Sequence, residues 1–205
     1  MAKINLKALS KQELESFIKE SGLPAFRAKQ LLHWIYERHV RSISDITELS
    51  KDLRERLEGK AYISNLAMLD RRTSVDGTEK FLFGLEDSES IESVLIPDKD
   101  RLTLCISSQA GCAMVCRFCL TGAMGFRRNL QPHEISDQII AVGRLIGPRK
   151  ITNIVFMGMG EPLANFDNVV EALRRITGQM KISPNRITLS TSGIAPKITE
   201  LAVKA

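Results

Sequence analysis

The sequence predicts an α/β protein in which a small helical domain and a β-hairpin segment precede a partial, incomplete βα barrel. Three observations predict it. Residues 1–60 carry apolar positions at helical spacing, punctuated by glycine and proline. Residues 61–97 change to strand-like alternation around Asp76-Gly77. From about residue 98 to 205, short apolar runs each lead into a loop rich in Gly, Cys or Ser and then into a helix-patterned stretch. These three stretches are the expected domains.

Within the first stretch, Ser10-Lys-Gln-Glu13 reads as a capping box, followed by Leu14, Phe17 and Ile18 at helical spacing. Gly22 and Pro24 end that helix and open the next, which carries Phe26, Leu31, Leu32 and Ile35 with Trp34 and Tyr36 nearby. A third helix carries Leu49, Leu53 and Leu57 and stops at Gly59. In the second stretch, residues 61–72 and 79–86 flank the Asp-Gly turn signal, and Ile91 to Ile96 reads as a further strand closed by Pro97-Asp98. In the third, strands at 102–107, 151–157 and 186–189 alternate with helices at about 133–146, 167–177 and from 196 onward. Strands connected through helices lie parallel, and chemistry gathers at their carboxyl ends. Three βα units do not close a barrel: either the chain is a piece of a longer one, which is the favoured expectation, or the sheet is left with an open edge.

The 205 residues include 43% hydrophobic and 26% charged side chains, a balance that excludes disordered, collagen-like and coiled-coil classes. No apolar run approaches the ~20 residues that span a bilayer. The start, Met-Ala-Lys-Ile-Asn-Leu-Lys, lacks an apolar leader core, so a cytoplasmic location with no membrane partner is expected. The formal charge is +5, and the excess is concentrated: between Gly111 and Lys150, six basic residues face only Glu134 and Asp137. A basic surface of this kind suits a polyanion, although a solvated basic face produces the same composition.

The four cysteines all lie between positions 105 and 119, and three form Gly111-Cys112-Ala-Met-Val-Cys116-Arg-Phe-Cys119, a C-x3-C-x2-C spacing. Three thiolates can hold three irons of a cubane cluster and leave the fourth iron open to a small molecule. A zinc site would need a fourth ligand, for which Cys105 or His133 is available, but paired C-x2-C knuckles are absent. Inert core thiols would not be expected to cluster so tightly.

That motif, with Phe118 before its last cysteine, resembles the radical S-adenosylmethionine superfamily. The flanking text narrows the resemblance. Thr103-Leu-Cys105-Ile-Ser-Ser-Gln-Ala-Gly-Cys112, Gly125-Phe-Arg-Arg-Asn-Leu130, Asn153-Ile-Val-Phe-Met-Gly-Met-Gly-Glu-Pro-Leu163 and Thr188-Leu-Ser-Thr-Ser-Gly193 are similar to the bacterial dual-specificity ribosomal RNA (adenine-C2) methyltransferase family. Ile91-Glu-Ser-Val-Leu-Ile-Pro97 and Pro24-Ala-Phe-Arg-Ala-Lys-Gln30 also match. The resemblance covers nearly the whole chain and makes residues 98–205 the first half of a radical SAM barrel.

The resemblance implies that Cys112, Cys116 and Cys119 ligate a [4Fe–4S] cluster whose open iron chelates S-adenosylmethionine. Gly160 and Glu161 would meet the cofactor's methionyl end, and Ser190 would touch it from the third strand end. By residue chemistry alone, Gly158 to Pro162 is also a plain turn and Ser190 a plain helix cap. Glu92 would accept the proton lost from adenine, and Cys105 would resolve a covalent enzyme–RNA intermediate through a disulfide. Their bland alternatives are an exposed strand residue and a core thiol. Arg127 and Arg128 would contact RNA phosphates, and the helical start would add an accessory RNA-binding surface.

The same resemblance implies the substrates, 23S rRNA and some tRNA, and a flavodoxin-type electron donor. C2 of adenine is electrophilic, so polar methyl transfer from a sulfonium fails and a radical route is required. In the family, a carboxyl-terminal cysteine is first methylated and then carries the carbon radical that adds to C2. No cysteine follows Cys119, so this chain alone is expected not to complete methylation. Two rival readings are a C8-methylating relative and a non-catalytic, metal-bearing RNA-binding module.

Overall fold

The structure is a computed structural model that describes residues 3–114 and 116–204. The expectations for the leader start at Met1 and for the chain end at Ala205 lie outside the described residues. The chain divides into two compact units between Asn65 and Leu66.

The first unit is helical. Strand β1 (Ile4–Asn5) is followed by α1 (Lys11–Glu20), α2 (Phe26–Tyr36) and α3 (Lys51–Glu58), and β2 (Ala61–Tyr62) pairs parallel to β1. That pairing draws residues 61–65 into the helical unit, a little beyond the boundary read from the sequence. The capping box forms as the sequence predicts: Glu13 N–H donates to Ser10 Oγ at 3.3 Å and Ser10 N–H to Glu13 Oε2 at 2.7 Å. Leu14, Ile18, Leu31, Ile35, Leu53 and Leu57 are buried, which turns the amphipathic stripes into a core.

The second unit is built on an open six-stranded sheet. Its strands are β3 (Ala67–Thr73), β4 (Glu79–Gly84), β5 (Ser90–Asp98), β6 (Arg101–Cys105), β9 (Asn153–Phe156) and β10 (Ile187–Leu189). A small separate ribbon consists of β7 (Gln109–Gly111) and β8 (Phe126–Asn129), with α4 (Leu120–Ala123) between its strands. The remaining helices are α5 (Pro132–Leu145), α6 (Phe166–Gly178) and α7 (Ala195–Lys204). The order across the sheet is β10-β9-β6-β5-β4-β3. β6, β9 and β10 run parallel, as βα connections require, whereas β3, β4 and β5 form an antiparallel meander. The hairpin segment therefore extends the same sheet rather than standing apart from it.

Alternation decides which face is covered. Phe81, Phe83, Ile91, Leu95, Leu104, Ile154 and Phe156 point to one side and are buried with Ile135, Ile139 and Val142 of α5 and Val169, Ala172 and Ile176 of α6. At roughly 1.5–3 kcal/mol per buried large apolar side chain, this layer dominates the unit's stability. The opposite face carries Lys80, Leu82, Glu92, Val94, Thr103, Cys105, Asn153 and Val155. Of these only Cys105 is buried, because among the described residues no second layer covers that face.

Candidate functional site

The carboxyl ends of β6, β9 and β10 lie along one edge of the sheet. β5 runs antiparallel to β6, so its beginning reaches the same edge. Val94 pairs with Cys105, which sets Glu92 diagonal to Cys105 on the uncovered face. Glu92 is half-exposed and ion-paired with Lys80 at 2.9 Å. Cys105 is buried, and that burial pushes its thiol pKa up against a smaller lowering effect of the Met157 backbone N–H.

The loop after β6 carries the other three cysteines. Gly111 closes the ribbon at φ +74°, and a Cβ there would lie 1.9 Å from the Gly125 carbonyl oxygen. Only glycine permits that approach. It brings Cys112 N–H within 3.1 Å of Gly125 O, so the cysteine segment is tied at its base. Cys119 N–H donates to Cys116 O at 3.1 Å, and Cys119 precedes α4. The Gly122 backbone N–H, opposed by slight burial and aided by Thr121, holds the Cys119 thiol below its ordinary value.

All four cysteines are free thiols. Among the described residues, no group of three Cys, His, Asp or Glu side chains is gathered closely enough to hold a metal ion. The donor chemistry nevertheless fits an iron–sulfur cluster. Cys112, Cys116 and Cys119 share one loop clipped at its base, and Cys119 is biased toward thiolate.

The loop after β9 is fitted against the loop after β6. A Cβ on Gly158 would meet Ser107 Oγ at 2.7 Å, and one on Gly160, at φ +99°, would meet Gln109 Cβ at 2.6 Å. These contacts give both glycines a reason beyond turn-making. Gln109 Oε1 accepts Glu161 N–H at 3.0 Å, and Gln109 Nε2 donates to Asn129 Oδ1 at 2.8 Å, which links three segments of the site. Asn165 Nδ2 donates to the carbonyls of Ser108 and Leu130, both at 2.8 Å.

Glu161 is buried, yet both of its oxygens accept hydrogen bonds. They accept from Leu163 N–H at 2.9 Å, Thr191 Oγ1 at 2.7 Å and Ser192 N–H at 2.6 Å. Burial pushes its pKa up, but the donors from Ser192, Thr191 and Leu163 outweigh it and hold the carboxyl below the ordinary range. Ser190 is exposed at the end of β10, with its N–H 3.4 Å from Phe156 O.

The two arginines predicted together part company. Arg127 is exposed on β8. Arg128 forks onto Glu134, with Nη1–Oε2 at 2.7 Å and Nη2–Oε1 at 2.8 Å, and its Nε reaches Asp87 at 2.5 Å. Glu134 and Asp87 hold the guanidinium pKa well above its usual value, although burial lowers it. Arg128 thus fastens the cysteine loop's return strand to α5 and to the β4–β5 turn.

Sequence reading missed the residues that assemble the site: Ser107, Gln109, Gln138, Thr191 and Ser192. Gln138 Oε1 accepts from Ser93 Oγ at 2.9 Å and from Ser107 N–H at 2.8 Å, although it lies on a helix that reads as amphipathic. A polar residue inside the apolar stripe of α5 was the one available signal.

Within the mixed sheet, three parallel strands with a three-cysteine loop after the first of them, and a glycine-shaped loop after the second, point to the radical SAM class. Residues 106–205 match the family description "Radical SAM superfamily", and residues 4–63 match "Ribosomal RNA large subunit methyltransferase N-terminal domain". The chain is 51% identical over 203 residues to the dual-specificity RNA methyltransferase RlmN of Geotalea uraniireducens, covering 98% of this chain and 58% of that protein. It is 52% identical over 201 residues to the protein of the same name from Pelobacter propionicus, covering 97% and 57%. The crystal structure of a radical SAM methyltransferase from Sphaerobacter thermophilus superposes with a TM-score of 0.90 at 39% identity, over 97% of this chain and 60% of that one. The chain thus carries a match to the RlmN-type N-terminal domain followed by a match to the radical SAM superfamily, and it spans less than two thirds of the length of these relatives.

Proposed function

We propose that the protein containing this chain is a radical SAM methyltransferase that methylates C2 of an adenosine in 23S rRNA and of adenosine in some tRNAs. The observation that carries this reading is the common edge of the sheet, where Glu92, Cys105, the Cys112–Cys119 loop, Gly160-Glu161 and Ser190 all lie. The RNA methyltransferase names of relatives matched over almost the entire chain support it.

Cys112, Cys116 and Cys119 would hold a [4Fe–4S] cluster, with S-adenosylmethionine beside Gly160, Glu161 and Ser190. When bound, that pair supplies the radical chemistry that an electrophilic carbon such as adenine C2 requires. The chain's own side chains do the rest. Glu92 takes the C2 proton on its carboxylate. Cys105 keeps its thiol protonated by burial until product release. The Gln109 and Asn165 hydrogen bonds fix the loops, so little reorganisation accompanies binding. Arg127 contacts RNA phosphate, and Arg128 braces the loop beside it. The electron comes from a flavodoxin-type donor. No described helix is long and apolar enough to cross a membrane, and we place the protein in the cytoplasm.

The test is the product nucleoside. Full-length protein, reconstituted anaerobically, is given S-adenosylmethionine, reductant and an RNA fragment, and the digest is compared by mass spectrometry with synthetic 2-methyl- and 8-methyladenosine. Reductant-dependent 2-methyladenosine is expected. Only 8-methyladenosine, or no methylated adenosine, overturns the proposal.

A further inference from the structure

The helical unit carries a groove of about 680 Å³ that none of the catalytic residues uses. Gln12 and Ser16 of α1, Leu23 in the turn, and Phe26 and Lys29 of α2 line it. Phe26 is out of place for a core residue. It is 52% exposed, whereas its helix neighbours Leu31 and Ile35 are fully buried. The guanidinium carbon of Arg27 sits 4.8 Å from the Phe26 ring centroid, and Gln30 holds Arg27 Nη1 at 2.6 Å. A cation therefore lies against the ring, while about half of the side chain stays open to solvent.

Charge at the groove favours an anion-bearing partner. Lys19 and Lys29 line it against Glu15 alone, and the first turn of α2 has no acidic residue. An exposed aromatic ring edged by lysines, with Gln and Ser hydrogen-bonding groups alongside, matches how proteins hold an unpaired base. The base stacks on the ring, and the lysines follow the backbone.

We infer that the α1–α2 groove, through Phe26, Lys19 and Lys29, binds an unpaired nucleotide of the RNA substrate. The inference rests on RNA being the substrate, and it adds where a second, non-reacting part of that RNA is held. Binding there would contribute affinity without touching the reacting base, a role for remote binding energy that enzymes commonly use.

The test uses the 205-residue chain and a short RNA hairpin with one unpaired 2-aminopurine. The expected result is fluorescence quenching on binding. Phe26→Ala should abolish the quenching and weaken binding about 10-fold, and Phe26→Trp should preserve both. Lys19→Ala and Lys29→Ala should each lower the slope of log affinity against log salt by roughly 0.7. Circular dichroism of Phe26→Ala checks that the helices persist, and Phe26→Trp keeps the test decisive if they do not. Unchanged RNA affinity in a folded Phe26→Ala, loss of quenching in Phe26→Trp, or no RNA binding by the wild-type chain each overturns the inference. So does a Phe26-dependent self-association that leaves RNA affinity untouched, because the groove then takes a second copy. Methylation by the full-length protein is read separately. A methylating enzyme indifferent to Phe26 sinks the groove alone, whereas an enzyme that makes no methyladenosine sinks the proposed function.

Discussion

The carboxylate of Glu161 accepts the backbone N–H of Ser192 at 2.6 Å, across 31 residues of sequence. With the Thr191 hydroxyl on its other oxygen, it ties the loop after β9 to the loop after β10. Two of the three loops that frame the site are thus held by one buried anion. An anion in that position is stable only while its donors stay in place.

Glu161→Ala should therefore lower stability by about 2 kcal/mol, because the hydrogen bonds to a charged acceptor are lost and the Ser192 and Thr191 donors are left without it. Amide exchange at Ser192 should accelerate at the same time. The pH dependence follows from the depressed pKa. The carboxylate's contribution is fully present above the unfolded glutamate value, and it is lost as pH falls through the lower folded value. Denaturant unfolding followed toward acid should show this loss in the wild type and not in Glu161→Gln. Parallel acid profiles for the two proteins would contradict the assignment.

Gly111→Ala should act on the cysteine loop through the backbone alone. The new methyl would collide with the Gly125 carbonyl oxygen, and an L side chain at φ +74° is strained in any case. A cost of at least about 2 kcal/mol is expected. The local readout matters more. If the Gly111–Gly125 approach sets the spacing of the thiols, iron bound per chain after anaerobic reconstitution should fall even though all three cysteines remain. Full iron uptake in a folded Gly111→Ala would separate the ribbon from the cluster site.

Local signals were legible in the sequence, and distant pairings were not. The Ser10–Glu13 box, the Asp76-Gly77 turn with Gly77 at φ +83°, and the three βα units depend on residues close in the chain. Propensity and spacing encode them directly. The cysteine loop was legible for the same reason. What holds that loop was not. The Glu161–Ser192 clamp, the Arg128–Asp87 pair and the Gln138 bonds to Ser93 and Ser107 join residues 31 or more positions apart. Which acceptor a polar side chain finds across such a gap is set by sheet order and register. The joining of an antiparallel meander to a parallel sheet is likewise a tertiary choice.

Arg127 and Arg128 are adjacent in sequence but should respond to substitution in opposite ways. Arg128→Ala leaves Glu134, with its side chain only 11% exposed, and Asp87 without their cation. A loss of about 2 kcal/mol is expected for breaking this partly buried network. Arg127→Ala removes an exposed side chain and should change stability by less than about 0.5 kcal/mol. If Arg127 meets phosphate, its loss should weaken RNA binding most at low salt. Thermal melts and salt-dependent RNA titrations of the two variants decide this. Equal destabilisation by both would contradict the ion network.

Cys105 gives a chemical prediction that does not need a loaded cluster. Its thiol is buried, and burial disfavours the thiolate. Alkylation requires the thiolate, so Cys105 should react slowly at neutral pH and speed up only above the ordinary thiol range. Unfolding the chain should remove the delay, because the group then returns to its ordinary pKa. Iodoacetamide labelling across a pH series, with the modified peptide identified by mass spectrometry, measures this in native and denatured chain. Val94→Ala sharpens the test. Val94 pairs with Cys105 across β5 and β6 on the same face, so trimming it should expose the thiol and raise its rate while leaving the strand pairing intact. A Cys105 that labels equally fast in native and denatured chain would show that the sheet does not protect it, and would remove the basis for a thiol held in reserve.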